Sequence, residues 1–157
     1  VVVSLGGNDY NHQENRTPSN ATFTGAYVQF LEKLHQAYGY GAVGAGDDDE
    51  EEEDKEEDVW PPPPKFISVC GQGSPQEAKE DPDNNRCRPC PHVADATRAF
   101  NTKYAGQWQA SYVFVPCDGS VITGHGDIGC NGHKNARGQK EVAAFLHPKI
   151  AEIMGWH

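Results

Sequence analysis

Two polar segments of this chain combine residue types that can do chemistry. The first, Gly6-Gly7-Asn8-Asp9, directly follows the β-branched apolar run from Val1 to Leu5. Glycines there let the backbone turn tightly and come close to a ligand, and an Asn amide offers neutral donors to a developing oxyanion. An ordinary Gly-Asn turn has the same composition. The second segment runs from Asp127 to Asn135 and carries Cys130 and His133. A histidine in a polar loop can serve as a general base near neutral pH, although a single loop histidine is more often only that.

What matters is whether the chain brings these segments to one place. Val1 to Leu5 reads as a short buried strand ended by Gly6 and Gly7. From Thr24, the residues Tyr27, Val28, Leu31, Leu34 and Tyr38 recur at helical spacing until Gly39 and Gly41. Phe66 to Cys70 and Tyr112 to Pro116 read as two further strands. Val93 to Tyr104 is predicted as a helix with Pro91 in its first turn, and Gly138 to Met154 as a final helix that Pro148 should kink. Alternating strands and helices argue an α/β fold, a three-layer sandwich around a parallel sheet with right-handed crossovers. In such a sheet ligands bind outside the carboxyl ends of the strands, where both polar segments belong. Three strands make a narrow sheet, and Val1 carries no initiator Met or leader, so the chain reads as incomplete on its N-terminal side.

The 157 residues are 36% hydrophobic and 23% charged, enough for one packed domain. The net charge of −10 belongs to one stretch: Asp47 to Asp58 holds 11 acids and one base, and the rest balances at 12 of each. No basic surface argues for nucleic acid, and no apolar run is long enough to span a membrane. Residues 41–64, glycine-rich, then acidic, then Pro61 to Pro64, read as a disordered insertion that cannot bury enough apolar surface to offset its ordering entropy. Its acids lack the spacing and glycine turn of a calcium loop.

Five cysteines and the sequons at Asn15 and Asn20 favour an oxidising compartment, secreted or lumenal, though Pro18 would hinder use of the first sequon. The expected pairs are Cys70 with Cys90 and Cys117 with Cys130, leaving Cys87 unpaired or bonded outside the chain. Cys87-Arg88-Pro89-Cys90 could form half of a zinc site, but no second such knuckle exists, and neither metal nor cofactor is expected.

Taken together and in order, the motifs resemble those of the SGNH (GDSL-like) hydrolases. Gly6-Gly7-Asn8-Asp9 after an apolar strand is similar to their GxND block. Gly129-Cys130-Asn131-Gly132-His133, followed by Asn135, Gly138 and a helix ending Met154-Gly155-Trp156, is similar to their His-bearing block. Ala26 to Leu31 and the strand ending Cys70-Gly71 sit where that family has an intervening helix and strand. The version with Gly-Cys before the His and Gly-Trp at the end most resembles carbohydrate esterase family two, whose members remove acetyl groups from polysaccharides. The resemblance spans nearly all of the chain except the insertion; each motif alone is short.

The resemblance implies a serine esterase in which His133 is the general base, Asn8 an oxyanion donor, and Gly6 and Gly7 line the substrate site. Its substrate would be an acetylated polysaccharide or a small ester, and the protein a monomer. Two positions depart from the family. Members with a full triad carry Asp three residues before the His; here Cys130 stands there. Asp127, six residues before, or a backbone carbonyl would have to hold the ring. No serine lies in a Gly-Asp-Ser context, so the nucleophile block is expected before Val1, and the chain alone is expected to be inactive. The competing reading is a non-catalytic carbohydrate-binding or scaffold remnant of the same fold. For it Trp60, Trp108 and Trp156 offer rings to stack on sugars, though core or spacer roles are commoner for them.

Overall fold

The structure is a computed structural model, and it describes residues 1–5, 18–38, 64–71, 87–106 and 108–156. The insertion at about 41–64, except Pro64, lies outside them, as do Gly6, Gly7, Asn8, Ser74 and Trp60. The chain orders its elements as β1 (Val2–Val3), α1 (Asn20–Tyr38), β2 (Phe66–Gly71), α2 (Cys90–Lys103), β3 (Ala110–Val115), a 3-10 turn (Cys130–Gly132) and α3 (Ala136–Met154). Each of the three strand and three helix predictions corresponds to an element of the same type. Helix α1 begins earlier than Thr24 because Ser19 caps it: the Thr22 amide donates to Ser19 Oγ at 3.1 Å.

The strands form one parallel sheet in the order β1-β2-β3, with Val3 opposite Ser68 and Cys70 opposite Phe114. The protein is thus an α/β fold. Alternation along β2 sends side chains to two cores. Phe66 and Cys70 join Phe23, Tyr27 and Leu31 of α1 and Val93, Ala96 and Phe100 of α2. Ile67 and Val69 face the other way, joining Val113 and Val115 of β3, Val121, Ile122 and Val142 of α3. Helices therefore lie on both faces of the sheet.

Two side-chain devices fix the ends of elements. The Asn101 side chain of α2 imitates a neighbouring strand, accepting from the Ala110 amide at 2.7 Å and donating to the Ala110 carbonyl at 2.9 Å. Helix α3 runs through Pro148 and stops at Gly155, whose left-handed conformation (φ 72°) lets Gly155 and Trp156 amides return to the last turn. This gives the Gly-Trp pair a structural reason, and Trp156 itself is 61% exposed. Trp108 packs between His35 and Phe66, with ring centroids 4.6 and 5.0 Å away. It lies at the amino end of the sheet, just before β3, and packs there against these rings.

The cysteine pairing departs from expectation at one bond. Cys70 pairs with Cys90, but Cys117 pairs with Cys87, and Cys130 is an exposed free thiol. Cys117 lies two residues beyond β3, at the sheet edge where the turn leading into α2 also arrives. Cys130 is closer in sequence but is carried out to solvent on a separate hairpin. Both cysteines of the Cys87-Arg88-Pro89-Cys90 motif are thus used in disulfides, each tying the start of α2 to a different strand end. Among the described residues no helix is long and apolar enough to cross a membrane, and no group of three potential metal ligands occurs.

Candidate active site

All three strands point the same way, so β1, β2 and β3 deliver the chain to one carboxyl edge. β1 does so through Leu5, ahead of Gly6, Gly7 and Asn8, whose geometry lies outside the described residues. β3 does so through Val115, and the connection from there to α3 carries His133. Val121 and Ile122 anchor that connection by burying in the core between the sheet and α3.

Beyond Ile122 the segment folds into a two-rung hairpin. The Asn135 amide donates to the Asp127 carbonyl at 2.9 Å and the Gly129 amide to the His133 carbonyl at 2.6 Å, flanking an antiparallel bridge between Ile128 and Lys134. The 3-10 turn from Cys130 to Gly132 closes the tip, where the His133 amide donates to the Cys130 carbonyl at 3.1 Å. His133 thus leaves the turn in extended conformation, with its side chain exposed. Among the described residues its imidazole has no hydrogen-bond partner.

The base of the hairpin is far more constrained. Asp127 is only 1% exposed. Its carboxylate accepts from the Thr123 amide at 2.8 Å, the Thr123 hydroxyl at 2.6 Å and Arg137 Nε at 2.5 Å. The hydroxyl donor, the guanidinium and the Thr123 amide, in that order of weight, hold its carboxyl down at about 2 against the cost of burial. Asn135 then ties the hairpin to α3. Its side-chain oxygen caps the helix, accepting from the Arg137 and Gly138 amides at 2.9 and 3.1 Å, while its side-chain nitrogen donates to the Gly126 carbonyl at 2.9 Å.

Asp127 is therefore not what orients the His133 imidazole; its acceptor positions face Thr123 and Arg137. Cys130 is the thiol the sequence shows and adds no carboxylate. Of the candidate residues, the structure places His133 at the carboxyl edge, exposed on a braced hairpin. The bracing residues Thr123 and Arg137 went unread in the sequence, because nothing in a run of small polar residues marks one aspartate as buried. Two serines have structural roles: Ser19 caps α1, and Ser68 is wholly buried in β2.

Comparison of the chain with protein-family models, with curated proteins and with solved structures returned no match.

Proposed function

We propose that the chain is the C-terminal part of an SGNH (GDSL-like) hydrolase domain, a three-layer sandwich, and that the domain is a serine esterase. The observation that carries this is the placement of His133. It stands exposed on a braced hairpin at the carboxyl edge of a parallel sheet, between the last strand and the last helix. The reading sets Asn8 at the same edge as an oxyanion donor, with Gly6 and Gly7 admitting substrate close to the backbone.

The chemistry is acyl transfer to water. A serine Oγ attacks the ester carbonyl carbon while His133 takes its proton, and the Asn8 amide together with serine and glycine backbone amides hold the oxyanion. The C–O bond to the alcohol then breaks, and His133 returns the proton to the leaving oxygen. Water, deprotonated by the same His133, attacks the acyl-serine; the acyl–Oγ bond breaks, His133 passes the proton to the serine Oγ, and the acid is released. Asp127 being committed elsewhere, the pair works as a Ser-His dyad.

The serine belongs to a strand preceding Val1. Among the described strands β1 is at one end of the sheet, a position beside which a further strand can pair. Two disulfides fit folding in an oxidising compartment, and an acetylated carbohydrate is the substrate class the motifs resemble most.

Labelling with a fluorophosphonate, which traps activated serines, tests the reading on the product of the complete reading frame. One labelled serine, in a Gly-Asp-Ser context ahead of Val1, is expected. No label, or a label confined to a serine within residues 1–157, contradicts it.

A further inference from the structure

We infer that Asp127 is a positioning residue for His133, acting through the hairpin base and not through the imidazole. At the base of the hairpin, side-chain hydrogen bonds converge on this residue and on Asn135 across the ladder. Its carboxylate grips Thr123, next to the core-anchored Ile122, and Arg137 in the first turn of α3. Its carbonyl receives the Asn135 amide. The same carbonyl lies against Gly138, where any Cβ would strike it, and Gly126 is likewise bare beneath the Arg137 guanidinium. One ladder step separates this clamp from the rung formed by Gly129 and His133.

A buried, ionised carboxylate with three donors is worth such convergence. Each hydrogen bond is charge-assisted, and together they join the segment at Thr123, the hairpin base and the first turn of α3. Position is what a general base needs most, since displacement by about 1 Å can cost ~10²-fold in rate. The catalytic half of this inference rests on the reading of His133 as the base; the conformational half does not.

The test compares Asp127→Asn, Thr123→Val and Thr123→Ser in the product of the complete reading frame. Amide exchange is followed at Gly129, Asn135 and, as a control, at Phe145 and Leu146 within α3. The inference expects Gly129 and Asn135 to exchange at least ~10-fold faster in Asp127→Asn and Thr123→Val with the control amides unchanged. It expects kcat for ester hydrolysis to fall at least ~10-fold with KM within about twofold. Thr123→Ser, which keeps the hydroxyl donor, restores both. Unchanged exchange in the first two variants overturns the inference, as does a loss of kcat that Thr123→Ser fails to rescue. If Asp127→Asn does not fold, Thr123→Val against Thr123→Ser decides. A protein that hydrolyses no ester while its hairpin loosens as described refutes the esterase reading and leaves the clamp standing.

Discussion

Asp127 and Arg137 close a polar clamp at the mouth of α3, one side 1% exposed and the other 60%. The carboxylate has left water and the guanidinium has not, so the aspartate depends on its partners to stay ionised. That asymmetry makes the base of the His133 hairpin sensitive to acid.

The Asp127 carboxyl, held at about 2, binds protons less readily folded than unfolded, where an aspartate titrates at about 3.9. Its contribution to stability is complete above pH of about 4, declines as pH falls toward about 2, and is absent below. Carbon-13 detection of the Asp127 carboxyl should give a midpoint near 2. A midpoint near 4 would mean that the Thr123 and Arg137 bonds do not form in solution.

Asn135→Ala removes the cap of α3 and the bond to the Gly126 carbonyl, and should cost about 1 to 2 kcal/mol in denaturant unfolding. Asn135→Ser, which keeps a capping oxygen, should recover most of it. Equal losses for the two variants would show that the cap is not what Asn135 contributes.

Gly138→Ala should destabilise by a further route, because the new methyl group meets the Asp127 carbonyl. Forcing apart a packed contact of this kind costs about 1 to 3 kcal/mol. Helix propensity alone predicts the opposite sign, since alanine is favoured over glycine within helices by roughly 1 kcal/mol. A stabilised variant would therefore refute the close contact.

Peptide mapping without reduction should find Cys70 with Cys90 and Cys87 with Cys117, with Cys130 alone alkylated in the native protein. Recovery of Cys117 bonded to Cys130 would restore the pairing that sequence proximity favours.

These cases show what the sequence can carry. The strand from Phe66, the strand through Tyr112, which begins two residues earlier than expected at Ala110, and the helix through Val93 and Phe100 were legible because apolar runs report burial directly. The start of α1 was missed by one turn because its signal is a single serine, Ser19, ahead of the apolar pattern. His133 was legible as a loop histidine before a helix, but its bracing was not. That Asp127 is buried, or that Cys117 meets Cys87 across 30 residues and not Cys130 across 13, depends on which way loops leave a folded sheet edge. No local pattern encodes that direction.

Asn8→Ala should lower kcat for ester hydrolysis by roughly 10² to 10³ with little change in KM, since an oxyanion donor acts in the transition state. A pure KM effect would make Asn8 a ground-state contact instead.

His133→Ala in the product of the complete reading frame tests the central claim most directly. Its exposed side chain makes it a poor packing residue, so the melting temperature should not move. Acetate release from an acetylated polysaccharide should fall ~10²-fold or more, the usual cost of losing a general base. A variant that folds normally and retains more than about a tenth of wild-type turnover would contradict the assignment of His133, and the account built on it.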